Sequence, residues 1–344
     1  MILNSYTTTY LLCSFFSLLT GLIAAANGFH VWRRWDIASR TEEQYRLEKR
    51  VYLIITLLSL GFLLKLLMIP LWFWTLHSMI ISIPGAMCLA GVHYINSPLS
   101  WIASGLKPAM LPLYGYWLLL NCLDRKIETQ PFMKQKTIFL IPLGILILCE
   151  TVIDISFLFS VPPHHVSCCT SLFDAPAKTV PPVIASSTWL WVTVFYALAL
   201  FVIGETVFFL SQKKRLSHRK ERQLGRKSLL ISQTLLIALL FVVLILALHT
   251  KISPLLLGLP FHHCIFCLCQ NVWVALLSVS MIFTGLTLFL FYFWVVSLAG
   301  YGEVYETLDG KMAKLLKLSG ILLVMGLIIL SVHLLIALLM RGGL

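Results

Sequence analysis

Long apolar segments alternate with short polar connections along the whole chain. A transmembrane helix needs about 20 apolar residues to cross the ~30 Å hydrocarbon core of a bilayer, and eight segments are long enough. They cover residues 7–32, 51–75, 99–122, 137–160, 188–211, 228–250, 272–298 and 318–340. The ten-residue alternation of polar and apolar positions that is typical of outer-membrane barrels is absent. The pattern predicts an all-α integral membrane protein, an eight-span transmembrane helix bundle that forms a single polytopic domain over residues 1–344.

Composition agrees with this pattern and excludes a soluble domain. Of the 344 residues, 59% are hydrophobic and 12% are charged, and the mean hydropathy is +0.91. We therefore expect a multi-pass protein of the cell membrane, with a prokaryotic inner membrane as its location and the lipid bilayer as its surroundings.

The basic residues predict the orientation of the chain. Of its 26 Lys and Arg, 21 lie in four alternate connections, at 33–50, 124–136, 212–227 and 299–317. Such connections face the cytoplasm under the positive-inside rule, which places both termini on the extracytoplasmic side. The net charge of +12 is thus explained by topology and by attraction to anionic lipid headgroups. Nucleic acid is not expected as a partner.

Residues 77–98 are apolar but are interrupted by Pro84, Gly85, Gly91 and Pro98. Counting them as a ninth span would send every later basic connection to the outer side. We therefore predict a re-entrant or interfacial segment, which a membrane protein tolerates only where protein covers its backbone.

Thiols and imidazoles are concentrated in three segments on the predicted outer side. These segments hold Met87 and Cys88; His164, His165, Cys168 and Cys169; and His262, His263, Cys264 and Cys267. Thiolate, thioether and imidazole are the ligands that suit soft metal ions, Cu(I) above all, and thiolate with imidazole also suits Zn²⁺. The first hypothesis is a Cys/His site that binds a soft ion for transfer or for assembly, with an extracytoplasmic metallochaperone as a candidate partner.

The second hypothesis is a thiol–disulfide relay coupled to quinone, with an external redox partner. Cys264 would attack as a thiolate, Cys267 would resolve, and the pair would exchange with Cys168 or Cys169. A CxxC at the outer end of a helix with a second Cys pair in an outer loop resembles, in its logic, the disulfide-generating quinone reductases of bacterial membranes. Those proteins are smaller, and the His pairs do not belong to their pattern.

The third hypothesis is a non-catalytic membrane subunit whose outer loops are stapled by disulfides, which an oxidising compartment permits. It explains neither the His-His pairs nor the close cysteine spacings. Covalent c-type haem is not expected under any of the three, because CxxCH is absent.

Four charged residues fall inside predicted spans, namely Lys65, Lys107, Glu150 and Asp154. A charge inside a bilayer costs at least ~2.5–3.5 kcal/mol, so such residues pair or line a polar cavity. Glu150 and Asp154 are four residues apart and share one helix face. We predict an intramembrane polar network, either structural or a path for protons. Glu205 lies nearer the inner side, and the sequence offers no obvious partner for it.

Overall fold

The structure is a computed structural model that describes residues 4–34, 41–125, 130, 132–160, 166, 188–211, 223–259, 262–299 and 303–341. All secondary structure in these ranges is helical, which confirms the predicted all-α class. The chain divides into two compact units, Met1–Ser167 and Cys168–Leu344.

The described residues of the first unit form four long α-helices and one short one. They are α1 (Ser5–Arg34), α2 (Glu42–Met79), α3 (Leu89–His93), α4 (Ser97–Asp124) and α5 (Met133–Ser160). Helix α1 packs against α5 and α2, and α4 packs against α2 and α5. The core between them holds large side chains such as Phe62, Trp72 and Trp117, all fully buried.

Helices α1 and α5 approach each other at small residues. A Cβ atom built on Gly144 of α5 would lie 2.6 Å from the backbone nitrogen of Ala25 and 2.8 Å from the carbonyl oxygen of Gly21. Real Cβ atoms do not come so close, and the atoms they would meet are backbone atoms that cannot rotate away. Glycine at 144 therefore sets the spacing between these two helices.

Replacing Gly144 by valine is expected to destabilise the first unit by at least the ~1–3 kcal/mol that overpacking costs. The matched control is Gly105→Ala in α4, where an added Cβ meets nothing within 4 Å. That change is expected to leave stability unchanged or to raise it by up to about 1 kcal/mol. Thermal unfolding of the purified variants measures both effects, and equal stability of the two variants would contradict the close contact.

The described residues of the second unit are also helical, with long helices joined to short ones. Its elements are α6 (Thr188–Ser211), α7 (Gln223–Ala247), a π-helical turn (Leu248–Ile252), α8 (Ser253–Leu257), α9 (Ile265–Asn271), α10 (Trp273–Ala299) and α11 (Glu303–Arg341). The closest packing is between α10 and α11. Ser319 of α11 donates a hydrogen bond to the carbonyl oxygen of Gly285 in α10, at 2.8 Å. Helix α7 packs against α6 and α10, and α6 packs against α11.

Seven stretches in the described part of the chain are long and apolar enough to cross a membrane. They are Ser5–Arg34, Tyr45–Ser82, Met133–Ser160, Trp189–Ser211, Ile231–Leu257, Trp273–Val296 and Gly310–Met340. The protein is thus a multi-pass membrane helix bundle, as predicted. The predicted span 99–122 coincides with α4, which is 28 residues long but is not among the seven. The count of eight and the outer location of both termini stay predictions.

Residues 77–98 do not form a long helix. Helix α2 ends at Met79, a 3₁₀ turn covers Ile80–Ser82, and Gly85 turns the chain with a φ of 86° before α3 begins. Protein covers part of this segment: Val92 is buried, and the backbone N–H of Val166 donates to the carbonyl oxygen of Pro84 at 3.0 Å. A re-entrant segment needs such cover, although its depth in a bilayer stays a prediction.

Candidate functional site

The CxxC motif occupies a short helix of its own in the second unit. Cys264 is the N-cap of α9, with extended backbone angles, and Cys267 lies in its first turn. Helix α9 ends at Asn271, and α10 begins at Trp273 after a break at Val272. The motif thus lies just before the seventh predicted span, as expected, and is not part of that span's first turn.

The two sulfur atoms are close enough to share one metal ion. They lie within 4.8 Å of each other, and no disulfide joins them. Two metal–sulfur bonds of about 2.3 Å each span at most ~4.6 Å, so this separation matches a pair of thiolates on one ion. Both side chains are buried, Cys264 at 1% exposure and Cys267 at 9%. Burial keeps water from competing for an ion held there.

Two histidines beside the motif hold each other in place. Nδ1 of His249 lies 2.7 Å from the carbonyl oxygen of His263, and Nδ1 of His263 lies 2.9 Å from the carbonyl oxygen of His249. Because a carbonyl oxygen only accepts, both Nδ1 atoms must donate. In the neutral imidazole Nε2 is then the nitrogen that carries the lone pair. Backbone-anchored Nδ1–H is how proteins orient histidines that bind metals through Nε2.

His249 was not among the residues predicted for the site. It lies in the π-helical turn, which follows α7 without a break. Single π-helical turns often occur at functional positions, but no sequence pattern predicts them. The available signal in the sequence was that His249 and Lys251 are polar residues at the predicted outer end of an apolar segment. The Lys251 ammonium lies 5.1 Å from the ring centroid of Trp189.

Other polar groups of the second unit are buried as well. His262 is 4% exposed. The indole N–H of Trp191 and the hydroxyl of Ser253 are buried without a hydrogen-bond partner in the described ranges. Burial raises the pKa of Cys269 to about 11, so this third thiol of the segment is mostly protonated at neutral pH.

The remaining predicted ligands divide into two groups. Met87 and Cys88 belong to the first unit, where Met87 is 70% exposed and Cys88 is buried as the N-cap of α3. His164, His165, Cys168 and Cys169 lie outside the described residues. The predicted pocket shared by residues 164–169 and the CxxC motif therefore stays a prediction.

His93, five residues after Cys88, is a structural residue. Its Nδ1 lies 2.7 Å from the carbonyl oxygen of Leu89, and its Nε2 lies 2.7 Å from the hydroxyl of Ser104. Both ring nitrogens are therefore engaged in hydrogen bonds. Burial lowers the pKa of His93, which keeps the ring neutral.

The structure brings Lys65, Lys107, Glu150 and Asp154 together in the middle of the first unit. Lys65 pairs with Glu150 at 3.2 Å, and Lys107 pairs with Glu150 at 2.7 Å and with Asp154. Each of the four side chains is at most 3% exposed. Two positive and two negative charges sum to zero, so the group is neutral as a whole.

Two tyrosines that the sequence did not single out complete this network. The Tyr10 hydroxyl donates to Asp154 at 2.6 Å, and the Tyr114 hydroxyl donates to Glu150 at 2.5 Å. The Lys107 ammonium also lies 5.0 Å from the ring centroid of Trp72. These contacts replace the water that the charges lose on burial.

A second buried ion pair joins Lys136 to Asp124, at 2.6 Å. Both residues lie in the predicted cytoplasmic connection 124–136, and both side chains are buried by the protein itself. Helix α5 begins at Met133, four residues before the predicted span, and this carries Lys136 into the helix bundle. The carboxylate of Asp124 also accepts the backbone N–H of Phe132, at 2.9 Å.

Comparisons with protein-family models, with curated proteins and with solved structures find no match for this chain. Its function must therefore be argued from its own residues. Those residues establish a multi-pass helical membrane protein with a buried cysteine pair that could hold a metal ion.

Proposed function

We propose that the protein binds a soft metal ion, with Cu(I) favoured, through the thiolates of Cys264 and Cys267. One observation carries the proposal: the two buried sulfur atoms lie within 4.8 Å of each other on one short helix, with no disulfide between them. The bound ion is held for transfer or for the assembly of a partner, and an extracytoplasmic metallochaperone is the expected donor or acceptor.

The donor set fits this ion. Cu(I) prefers thiolate and thioether sulfur and accepts imidazole nitrogen. Cys264 and Cys267 supply the sulfur, and His263, next to Cys264 in the chain, supplies an imidazole whose Nδ1 is held by the carbonyl oxygen of His249. Binding requires both cysteines to lose their protons, so uptake of the ion releases protons and weakens as the pH falls. Zn²⁺ is the alternative ion for the same ligands.

The other predicted ligands stay part of the proposal on the strength of the sequence alone. His262, His164, His165, Cys168 and Cys169 are candidates to complete the coordination, and Met87 with Cys88 is a candidate accessory pair. All lie in segments that the charge pattern assigns to the outer side of a prokaryotic inner membrane.

The same cysteine pair also supports the relay as a second candidate. If Cys264 and Cys267 form a disulfide, the two thiols lose two protons and two electrons, which reduce one quinone to quinol. The proximity of the sulfur atoms favours this reaction, because a disulfide needs only a local shift to its ~2.05 Å bond length. A disulfide-stapled subunit is the remaining alternative.

Thiol counting and elemental analysis of one purified sample separate these candidates. Cysteines are alkylated at about pH 8, where buried Cys269 reacts slowly because its pKa is about 11, and are located by peptide mass spectrometry with and without reductant. The metal site predicts bound copper or zinc, with Cys264 and Cys267 alkylated only after the metal is removed. Reversible disulfide without metal would favour the relay, and a disulfide that survives strong reductant would favour the stapled subunit. Either of these results contradicts the metal site.

A further inference from the structure

Glu205 has a partner that the sequence did not reveal. Glu205 lies in α6 and Gln233 in α7, two neighbouring helices of the second unit. The side-chain amide of Gln233 donates a hydrogen bond from Nε2 to Oε1 of Glu205, at 2.9 Å. Both residues lie within stretches apolar enough to cross a membrane.

The other oxygen of each side chain is buried and lacks a donor. Oε2 of Glu205 and Oε1 of Gln233 have no hydrogen-bond partner among the described residues. A buried acceptor left without a donor has lost its hydrogen bonds to water and gained none in their place, which destabilises the folded protein. Rotating the Gln233 amide by half a turn does not help, because its oxygen would then face the carboxylate oxygen.

No positive charge compensates Glu205 in the described ranges. The described side chains of α7, residues 231–247, include no charged group. The described side chains of α11 include Lys311, Lys314, Lys317 and His333, and the π-helical turn carries His249 and Lys251. None of these groups forms an ion pair with Glu205. An ionised carboxylate is unfavourable in an apolar medium, and here a single hydrogen bond, from Gln233, would stabilise it.

We propose that Glu205 binds a proton and that its Oε2–H group donates to Oε1 of Gln233. One proton then satisfies both unpartnered oxygens and removes the charge. The two side chains form a cyclic carboxylic acid–amide pair with two parallel hydrogen bonds. The second unit thereby contains a protonatable site within the membrane, separate from the ion-paired carboxylates of the first unit.

The bound species is a proton rather than a metal cation. Two oxygen atoms are too few for a hard cation, since Mg²⁺ and Ca²⁺ take six or more oxygen ligands. The partly exposed Glu205 side chain also leaves the carboxyl within reach of a lipid-soluble reagent. Glu150 and Asp154 are paired with lysines and serve as internal controls in the same molecule.

Labelling with a lipid-soluble carbodiimide, which reacts with protonated carboxyls, tests the site in the full-length protein. The expected result is a label on Glu205 at neutral pH that disappears at alkaline pH, with Glu150 and Asp154 unlabelled. Glu205→Gln should abolish the label but keep wild-type thermal stability, because an amide in place of the protonated acid preserves both hydrogen bonds to Gln233.

Infrared spectroscopy provides a readout that does not depend on access of the reagent. The wild-type protein should show the C=O stretch of a protonated carboxylic acid, and Glu205→Gln should lose it. The proposal is overturned if neither the label nor this band is assigned to Glu205 at neutral pH. It is also overturned if sodium ions alone protect Glu205 from the label, since a cation would then occupy the site.

Discussion

Replacing Glu150 by alanine is expected to destabilise the protein by about 3–5 kcal/mol, the cost of removing one partner from a buried ion pair. Glu150 accepts from Lys65, Lys107 and Tyr114. Without it, two buried ammonium groups face the single carboxylate of Asp154. The loss is measured as the change in unfolding free energy in detergent or bicelles, followed by tryptophan fluorescence.

A charge-balanced double variant is the control for this prediction. Lys65→Met together with Glu150→Gln removes one positive and one negative charge and keeps the pair between Lys107 and Asp154. Replacing both partners of a buried ion pair by neutral groups of similar volume is often close to neutral. The double variant should therefore regain most of the stability lost in Glu150→Ala. Equal losses in the two variants, or no loss in either, would contradict the claim that an uncompensated buried charge causes the destabilisation.

The helices could be predicted because hydrophobicity is a local property. Each of the eight predicted apolar segments coincides with a helix of the structure. The boundaries shifted where polar residues continue a helix: α11 begins at Glu303, 15 residues before the predicted span 318–340. Hydropathy detects only the part of a helix that lies in apolar surroundings, whereas the backbone hydrogen bonds continue beyond it.

The polar contacts were predictable only in part. Charges in an apolar segment stand out because of their cost, so Lys65, Lys107, Glu150 and Asp154 could be named from the sequence. Their hydroxyl partners could not, because a tyrosine in an apolar helix carries no comparable signal and Tyr10 is separated from Asp154 by 144 residues. Gln233, the partner of Glu205, was missed because the pairing depends on how two neighbouring helices pack.

At the candidate metal site, spacing predicted the cysteine pair but not its surroundings. With two residues between them, Cys264 and Cys267 lie about one helical turn apart, so the CxxC spacing alone indicated that both sulfur atoms could reach one ion. The pairing of His249 with His263 depends on a π-helical turn and on a reversal of the chain at Gly258, where φ is 79°. Such tertiary features have no periodic pattern in the sequence.

Competitive titration with Cu(I) tests the central claim most directly. Purified protein competes with a chromogenic Cu(I) chelator, and the copper retained is measured for the wild type and for three single variants. Cys264→Ser and Cys267→Ser each remove a direct ligand, so each should lower the affinity by at least about 100-fold, more than the ~10–100-fold that loss of an outer-shell partner costs.

Cys269→Ser is the matched control in this titration, because it removes a thiol two residues from Cys267 that is not assigned to the site. Its affinity should equal that of the wild type. The account predicts one Cu(I) per chain that depends on both Cys264 and Cys267. Wild-type protein that fails to compete for Cu(I), or equal affinities in all three variants, would contradict it.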